Sequence, residues 1–279
     1  MKRKLRFLLA VVMAVVLAGT QAYGQRKPRI KGSRSPITVN QDLPEFRFLK
    51  LADDLEVEVR NGAPGYELEV DDNLVDVLSF QVQDSTLEIT SFYQISSSKA
   101  LKIIVYAQGL NAVEARAGRL FSEQPITTDL LSARASDNAK LGLHVRAGWV
   151  DLTLSDNSSA DLRIEADTLS MSLGGRTDTR VYANAGGLSA ALSENASLSL
   201  EGVGAQVRLE AADNSSIKAS RMEAQELSAR LEGAATSRVF ASETARLDLS
   251  GQARLYLYGE PALNITRFSD RAELHKEPE

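Results

Sequence analysis

The feature that most constrains this chain of 279 residues is a short turn that recurs at nearly constant spacing through its second half. The turns are Asp137-Asn138, Asp156-Asn157, Gly174-Gly175, Glu194-Asn195, Asp213-Asn214, Glu232-Gly233 and Ser250-Gly251. Their second members are spaced by 19, 18, 20, 19, 19 and 18 residues, with alternating apolar and polar residues between them. A repeat of this length built from short strands is typical of a β-solenoid.

The alternation within each copy predicts its interior. In the first copy, Leu131, Ala133 and Ala135 precede the turn, and Leu141 and Leu143 follow it. Because successive side chains of a strand point to opposite sides, we expect these residues to face inward. The inward residues predicted for the later copies are Leu152, Leu154, Leu162, Ile164, Leu169, Met171, Leu173, Val181, Ala183, Leu188, Ala190, Leu192, Leu198, Leu200, Val207, Leu209, Ala211, Ile217, Ala219, Leu227, Ala229, Leu231, Leu247 and Leu249. Each copy should contain two strands flanking its turn, and the frequent alanines fit a narrow interior.

The first 24 residues have the composition of a signal peptide. Basic residues at positions 2–6 precede an apolar run from Phe7 to Ala18, and Ala22 and Gly24 supply the small residues of a cleavage site. The apolar run is shorter than the roughly 20 residues that a membrane-spanning helix needs. The chain has no cysteine, which excludes a lipid-modified cysteine anchor, disulfides and thiolate metal sites. We therefore expect export, to the periplasm or the cell surface, with no transmembrane segment in the mature chain.

The mature chain is predicted to have four sections. Residues 25–42 contain five basic residues with proline and glycine, which predicts a basic flexible arm. Residues 43–119 contain strands of unequal length and form a less regular N-terminal β section. Residues 120–262 contain the regular solenoid repeats, and residues 263–279 are a polar tail. The fold class is therefore all-β, a parallel solenoid with about 19 residues per coil.

Charge and composition narrow the range of partners. The formal net charge is −5, and removal of the basic leader makes the mature chain more acidic. Because nucleic-acid binding depends on clustered basic residues, we expect no nucleic-acid partner. No cofactor is predicted, and the oligomeric state is left open.

Catalytic residues are scarce in this sequence. The only histidines are His144, predicted to point outward between two apolar residues, and His275, in the polar tail. Without cysteine, catalytic pairs of the Ser/His or Cys/His kind have little support. Parallel β-helices also include polysaccharide lyases and glycosidases, in which carboxylates act as acid and base. The short connectors leave no long loops to enclose such a site, so we expect no enzyme activity.

Two groups of residues are candidates for binding. Arg254, Tyr256 and Tyr258 alternate with leucines near the end of the repeats, which predicts two outward aromatic rings that would stack on a sugar or contact a protein. A local aromatic pair covering the last coil is the alternative. The second group is the acidic turn residues Asp137, Asp156 and Asp213, which stacked coils would bring close together. Solvated turns and a cation-binding edge are both compatible with them, and no metal site is predicted.

Stacked coils would also align the turn asparagines. Asn138, Asn157, Asn195 and Asn214 are therefore expected to form a partial ladder of side-chain hydrogen bonds. A separate motif, Asp167-Thr168-Leu169, matches a short acceptor sequence for O-linked glycosylation in some exported bacterial proteins. Motifs of three residues often occur by chance, so modification of Thr168 is a weak hypothesis.

Three segments and the turns resemble the auto-transporter adhesin head GIN domain family, once described as a domain of unknown function. The segments are FRFLKLADDLEVEVRNG, VDDNLVDVLSFQVQDSTLEI and LKIIVYAQGLNAVEARAG, and the resemblance covers about residues 43–262. Family members commonly have Ser-Gly at the turns, which this chain keeps only at Ser250-Gly251. The resemblance implies a right-handed β-helix-like fold and a role in adhesion or surface binding, and it supplies no catalytic residues.

From these observations we expect an exported, non-catalytic binding or adhesion module of the bacterial cell envelope. It would contact glycan or protein through the outer faces of the solenoid. Two alternatives remain open: a structural spacer, in which the repeat supplies only a stiff rod, and a carbohydrate-active β-helix enzyme.

Overall fold

The computed structural model describes residues 27–278. The predicted signal peptide lies outside this range. The first strands are β1 (Arg29–Lys31), β2 (Pro36–Asp42), β3 (Phe48–Leu51), β4 (Glu56–Asn61), β5 (Gly65–Asp71), β6 (Leu78–Gln83), β7 (Thr86–Ser91), β8 (Gln94–Ser97), β9 (Leu101–Ala107), β10 (Ala112–Ala115) and β11 (Arg119–Phe121). The remaining strands are β12 (Ile126–Ala135), β13 (Lys140–Leu154), β14 (Ser159–Leu173), β15 (Asp178–Leu192), β16 (Ser197–Ala211), β17 (Ser216–Leu231), β18 (Thr236–Phe240), β19 (Thr244–Leu249), β20 (Arg254–Tyr258), β21 (Ala262–Phe268) and β22 (Glu273–Lys276). A short 3-10 helix, Asp72–Val77, follows β5.

The second half of the chain is the predicted β-solenoid, with about 19 residues per coil. Each coil from β13 to β17 is one strand of 15 or 16 residues followed by a four-residue turn. Successive coils pair in parallel: Lys140 lies beside Ser159, Ser159 beside Asp178 and Asp178 beside Ser197. The repeat length inferred from the turns is therefore the length of one coil.

Each long strand bends once at a corner, which gives the coil two sides. In β13 the buried residues are Leu141, Leu143 and Val145 before the corner, but Leu152 and Leu154 after it. The parity changes because residue 148 has no partner in the ladder, although the residues on either side pair normally. The two strands expected in each copy are thus continuous at the corner. We call the side that follows each turn face 1 and the side that precedes the next turn face 2.

The interior is the one that the alternation predicts. Every predicted inward residue from Leu131 to Leu249 is buried and belongs to a single hydrophobic core. Alanines such as Ala183 and Ala229 are no more than 1 % exposed, so the two faces approach closely where they occur. Contiguous burial of this row supplies most of the driving force for folding.

Each turn contains one residue with left-handed backbone geometry, and these residues occupy equivalent positions in successive coils. These residues are Gly118, Asp137, Asp156, Gly175, Glu194, Asp213, Gly233, Gly251 and Asp270. In the Asp-Asn and Glu-Asn turns it is the first member of the pair, and in the turns that end in glycine it is the second. The spacing is therefore more regular than the sequence pairs suggest, and the series extends by one turn at each end.

The N-terminal end of the stack does not follow chain order. β7 and β9 form the outermost rung, β3 and β4 the second, and β10 and β11 the third. Antiparallel strands close the outer edge: β6 pairs with β7, β5 pairs with β9, and β2 pairs with β5. The segment 25–42, expected to be a flexible arm, contains β1 and β2. Alternating Ile37 and Val39 allow β2 to pair along its whole length with β5.

The C-terminal end has one more coil than expected. The segment 263–279, predicted to be a polar tail, includes β21, the turn at Asp270 and β22. Leu263 and Ile265 continue the inward rows of Ala245 and Leu247, which explains why the segment pairs with β19. Within residues 27–278 no further coil covers them, and each is about half exposed, at 49 % and 47 %.

Candidate binding face

Face 1 carries two rows of outward side chains that run along the rod. The first row is Phe121, Gly142, Asp161, Arg180, Ser199, Lys218, Arg238, Tyr256 and His275. The second row includes His144, Arg163, Tyr182, Glu201 and Arg221. Because equivalent positions stack at the spacing of neighbouring strands, about 4.8 Å, each row brings residues 19 apart into contact. Aromatic and cationic side chains are concentrated in both rows.

A groove opens on face 1 where Gly142 interrupts the first row. It has a volume of about 530 Å³, and its walls include Arg119, His144, Arg180 and Tyr182. A Cβ atom at Gly142 would lie 3.3 Å from the Cβ of Phe121 and 3.9 Å from Nη2 of Arg119. Gly142 therefore lets Phe121 pack closely against the backbone, and it lines the groove without a side chain of its own.

The cationic groups around the groove differ in their pairing. Arg119 donates to Oε1 of Glu56 at 2.8 Å, and its guanidinium carbon lies 4.6 Å from the centre of the Phe121 ring. Arg163 lies 5.8 Å from the centre of the Tyr182 ring. Neither Arg163 nor Arg180 forms an ion pair with a carboxylate of residues 27–278. These two guanidinium groups can therefore donate hydrogen bonds to a ligand.

Tyr182 and His144 complete the walls. Tyr182 is 54 % exposed, so its ring and hydroxyl are accessible from solvent. His144 lies on the outward row, as predicted, but it is half-buried and its Nε2 atom is buried without a hydrogen-bond partner among the described residues. Ser122 also lines the groove, and its hydroxyl accepts a hydrogen bond from the backbone N–H of His144 at 3.0 Å. The side chains of the groove are suited to hydrogen bonding and ring stacking.

The three aromatic-site candidates lie together at the C-terminal end of face 1. The Tyr256 ring is stacked on His275, with ring centres 4.8 Å apart, and Arg238 lies 5.0 Å from the same ring on the preceding coil. Arg254 forms an ion pair with Glu273 at 3.5 Å. Both sides of the Tyr256 ring are thus covered. Only the ring edge and the hydroxyl are left for contacts with a ligand.

The acidic turn candidates lie along one edge of the rod and take different roles. Oδ2 of Asp156 accepts hydrogen bonds from the backbone N–H of Asp137 and from the Ser155 hydroxyl. The hydrogen bond from the Ser155 hydroxyl, followed by the one from the Asp137 N–H, holds the pKa of the Asp156 carboxyl below its ordinary value. Asp213 accepts a hydrogen bond from the backbone N–H of Glu194 at 3.0 Å. The carboxylates of Asp156 and Asp213 therefore join one coil to the next.

The expected asparagine ladder runs through the backbone. The N–H of Asn157 donates to the carbonyl of Asp137 at 2.9 Å, and Asn195 and Asn214 donate in the same way to the preceding coil. Side-chain bonds between these asparagines are absent from the described part of the chain. Residues 27–278 also contain no group of three or more His, Cys, Asp or Glu side chains arranged to hold a metal ion.

Sequence reasoning missed the groove on face 1. Arg163 and Tyr182 are 19 residues apart, and Gly142 and Arg180 are 38 apart, so an alignment of the coils would have placed each pair in one row. A glycine at an outward position between two buried leucines was the available signal. Residues 27–278 contain no apolar helix of the length needed to cross a membrane.

A family model described as "Putative auto-transporter adhesin, head GIN domain" matches residues 45–183 and 154–261. A search of curated proteins returns no match. A "putative adhesin" from Parabacteroides distasonis ATCC 8503 is similar to the fold with a TM-score of 0.66, 16 % identity and coverage of 89 % of this chain and 100 % of that chain.

Two other crystal structures have the same coverage of 89 % of this chain and 100 % of theirs. One is a "putative adhesin" from Parabacteroides merdae ATCC 43184, with a TM-score of 0.64 and 16 % identity. The other is a "putative lipid binding protein" from Parabacteroides distasonis ATCC 8503, with a TM-score of 0.60 and 18 % identity. At these identities the likeness concerns the fold alone.

Proposed function

The chain belongs to the auto-transporter adhesin head GIN domain family, and from this membership we propose that it is an exported, non-catalytic binding module of the bacterial cell envelope. Its ligand is an envelope glycan or a protein, contacted through face 1. The observation that carries the proposal is the groove at Gly142. There, Arg163 and Arg180 are without acidic partners among residues 27–278, and Tyr182 is exposed.

The chemistry of the groove favours a polyhydroxylated ligand. Guanidinium groups donate hydrogen bonds to hydroxyl oxygens, carboxylates such as Asp161 and Glu201 accept them, and a tyrosine ring packs against a sugar ring. A lipid, the ligand that the description of one structural neighbour suggests, would require an enclosed apolar cavity. The groove on face 1 is open and has charged walls, which supports glycan over lipid.

The C-terminal end of face 1 would extend the same contact surface. Arg254, Tyr256 and Tyr258 lie on the face that carries the groove, so a long ligand along the rod would meet both regions. Because the Tyr256 ring is covered on both sides, we assign this end a hydrogen-bonding role. The acidic turns serve the coil-to-coil contacts described above, and we propose no cation there.

The proposal is tested by binding of the purified mature protein to a glycan panel and to envelope extracts. Saturable binding is expected, and Arg163→Gln with Arg180→Gln should weaken it by about tenfold, the effect of losing two or three hydrogen bonds. Arg134→Gln, an exposed residue on face 2, is the matched control. Absence of binding would favour the spacer, and turnover of a polysaccharide would favour the enzyme.

Location is tested separately. The proposal places the protein in the periplasm or on the cell surface, and protease treatment of intact cells distinguishes these two places. Digestion of the protein in intact cells would indicate an outward-facing adhesin. Protection in intact cells with digestion after outer-membrane permeabilisation would indicate a periplasmic module.

A further inference from the structure

The single tryptophan of the chain lies on the outer corner between face 1 and face 2. Trp149 is 48 % exposed, and Leu130, its partner on the preceding coil, is 46 % exposed. Tryptophan and leucine are usually well buried, because leaving their large apolar surface in water is unfavourable. The two side chains form an uncovered apolar step on a corner that is otherwise polar.

A second groove begins beside this step. The corner row continues from Trp149 to Thr168, then to Gly187, Gln206, Glu226 and Thr244 on successive coils. From Thr168 to Thr244 the row borders a groove of about 510 Å³ that is open to solvent. The groove therefore runs along the rod for five coils, or about 20 Å at the usual strand spacing.

Gly187 leaves a gap in the row of side chains along the groove. A Cβ atom at this position would meet no other atom within 4 Å, so the space above the backbone is empty. Thr168 on one side and Gln206 on the other have side chains, so a notch separates them. Since Gly187 does not have left-handed geometry, other residues can occupy the position without backbone strain.

The groove offers mainly uncharged hydrogen-bonding groups. Its hydroxyls are those of Thr168, Ser189, Ser228 and Thr244, and its amide is that of Gln206, which donates to Glu226 at 3.3 Å. Three charged side chains also line the groove, the cationic Arg208 and Arg246 and the anionic Glu226. An exposed indole ring at the end of a row of hydroxyls and amides is suited to a sugar chain, because a sugar ring has an apolar face and a polar edge.

We propose that Trp149 and this groove form a second binding site, which takes an uncharged glycan chain laid along the rod. One sugar ring stacks on Trp149 beside Leu130, and the following sugars pass over Thr168 and the notch at Gly187. A linear glycan presents the same groups at regular intervals, as the coils do. The site lies on the corner, separate from the groove at Gly142, and does not depend on binding through face 1.

Tryptophan fluorescence tests the proposal directly. Since Trp149 is the only tryptophan, emission excited where tyrosine does not absorb reports on this corner alone. The probes are linear oligosaccharides of glucose, xylose and N-acetylglucosamine, from disaccharides to hexasaccharides. At least one series should give a saturable blue shift, with affinity that rises about tenfold with chain length because longer chains reach more of the groove.

Two variants make the test specific. Gly187→Val fills the notch and should weaken binding of hexasaccharides by about tenfold, while the melting temperature stays near that of the wild type because the space is empty. Arg163→Gln with Arg180→Gln on face 1 is the control and should leave the fluorescence response unchanged. Loss of face 1 binding in the control together with an intact response here would separate the two sites.

Two results of the fluorescence assay would overturn the proposal. One is the absence of a saturable fluorescence change with every oligosaccharide of the panel. The other is a response that Gly187→Val leaves at full affinity, which would place the ligand elsewhere on the corner. Trp149→Phe, measured by calorimetry, should retain part of the affinity because it keeps a ring, whereas equal loss in Trp149→Phe and Trp149→Ala would contradict stacking.

Discussion

Oδ2 of Asp156 accepts a hydrogen bond from the backbone N–H of Asp137, 3.2 Å away on the preceding coil. The same contact recurs from Asp213 to Glu194 at 3.0 Å and from Asp270 to Gly251 at 3.1 Å. The three aspartates lie three coils apart, and each occupies a left-handed turn position. Aspartate tolerates this geometry better than most residues and adds a bond that glycine cannot make.

The contact of Asp156 should make stability depend on pH. Its folded pKa lies below the ordinary value of 3.8, so its stabilising effect is complete above that value and is lost as the pH falls through the folded pKa. We expect Asp156→Asn to lower the urea midpoint at neutral pH and to differ less from the wild type in acid. An equal difference at neutral pH and at about pH 3 would contradict this.

Gly175 should resist substitution. Its φ is +74°, and a Cβ atom there would lie 2.5 Å from the carbonyl oxygen of Asp156. We expect Gly175→Ala to destabilise the protein by about 1–3 kcal/mol, through backbone strain and steric contact. Thermal unfolding measures the change, with Gly187→Ala as the control because its Cβ would be free. Similar melting temperatures for the two variants would show that the turn adapts.

Removal of the Thr179 hydroxyl should stabilise the protein. The residue is fully buried at an inward position of β15, and its Oγ1 atom has no hydrogen-bond partner among residues 27–278. Thr179→Val has nearly the same shape, so we expect a gain of about 1 kcal/mol in unfolding free energy. The half-buried Thr153 on face 2 is the control, where Thr153→Val should change little. A less stable Thr179→Val protein would indicate an internal water.

Tyr182 should matter more than Tyr256 for binding through face 1. The Tyr182 ring is exposed beside the groove, whereas the Tyr256 ring lies between Arg238 and His275. We expect Tyr182→Ala to weaken glycan binding by about fivefold, the effect of losing one ring contact, and Tyr256→Ala to weaken it less. The glycan panel measures both. The reverse order would mean that the ligand displaces His275 and stacks on Tyr256.

The sequence predicts the coil and its core because both depend on local periodicity. Turn spacing gives the coil length, and alternation gives inward residues such as Leu169 and Ala190, which are buried. The rung order at the N-terminal end is not predictable in this way. β3 pairs with β7 on one side and β10 on the other, and the three strands have similar alternation. Local alternation therefore does not determine which of these strands pair with each other, and long-range packing decides it.

The candidate sites were only partly predictable for a related reason. The groove at Gly142 is lined by residues of several coils, and it becomes visible only when residues of neighbouring coils are aligned. The cover on Tyr256 depends on His275, which lies in a segment that composition assigns to a polar tail. The inward residues of this C-terminal segment are few. The charged residues around them therefore led to the prediction of a polar tail.

The position of β3 and β4 between later strands limits how the rod can assemble. A polypeptide that emerges amino end first presents these strands before either neighbour has been released. The outer neighbour is complete only at Ala107, the last residue of β9. Pairing with the outer neighbours closes loops of about 40 residues, since Phe48 pairs with Thr86 and Val57 pairs with Ile103. Since antiparallel strands cover the N-terminal end of the stack, we expect later coils to be added at the other end, toward the carboxyl terminus.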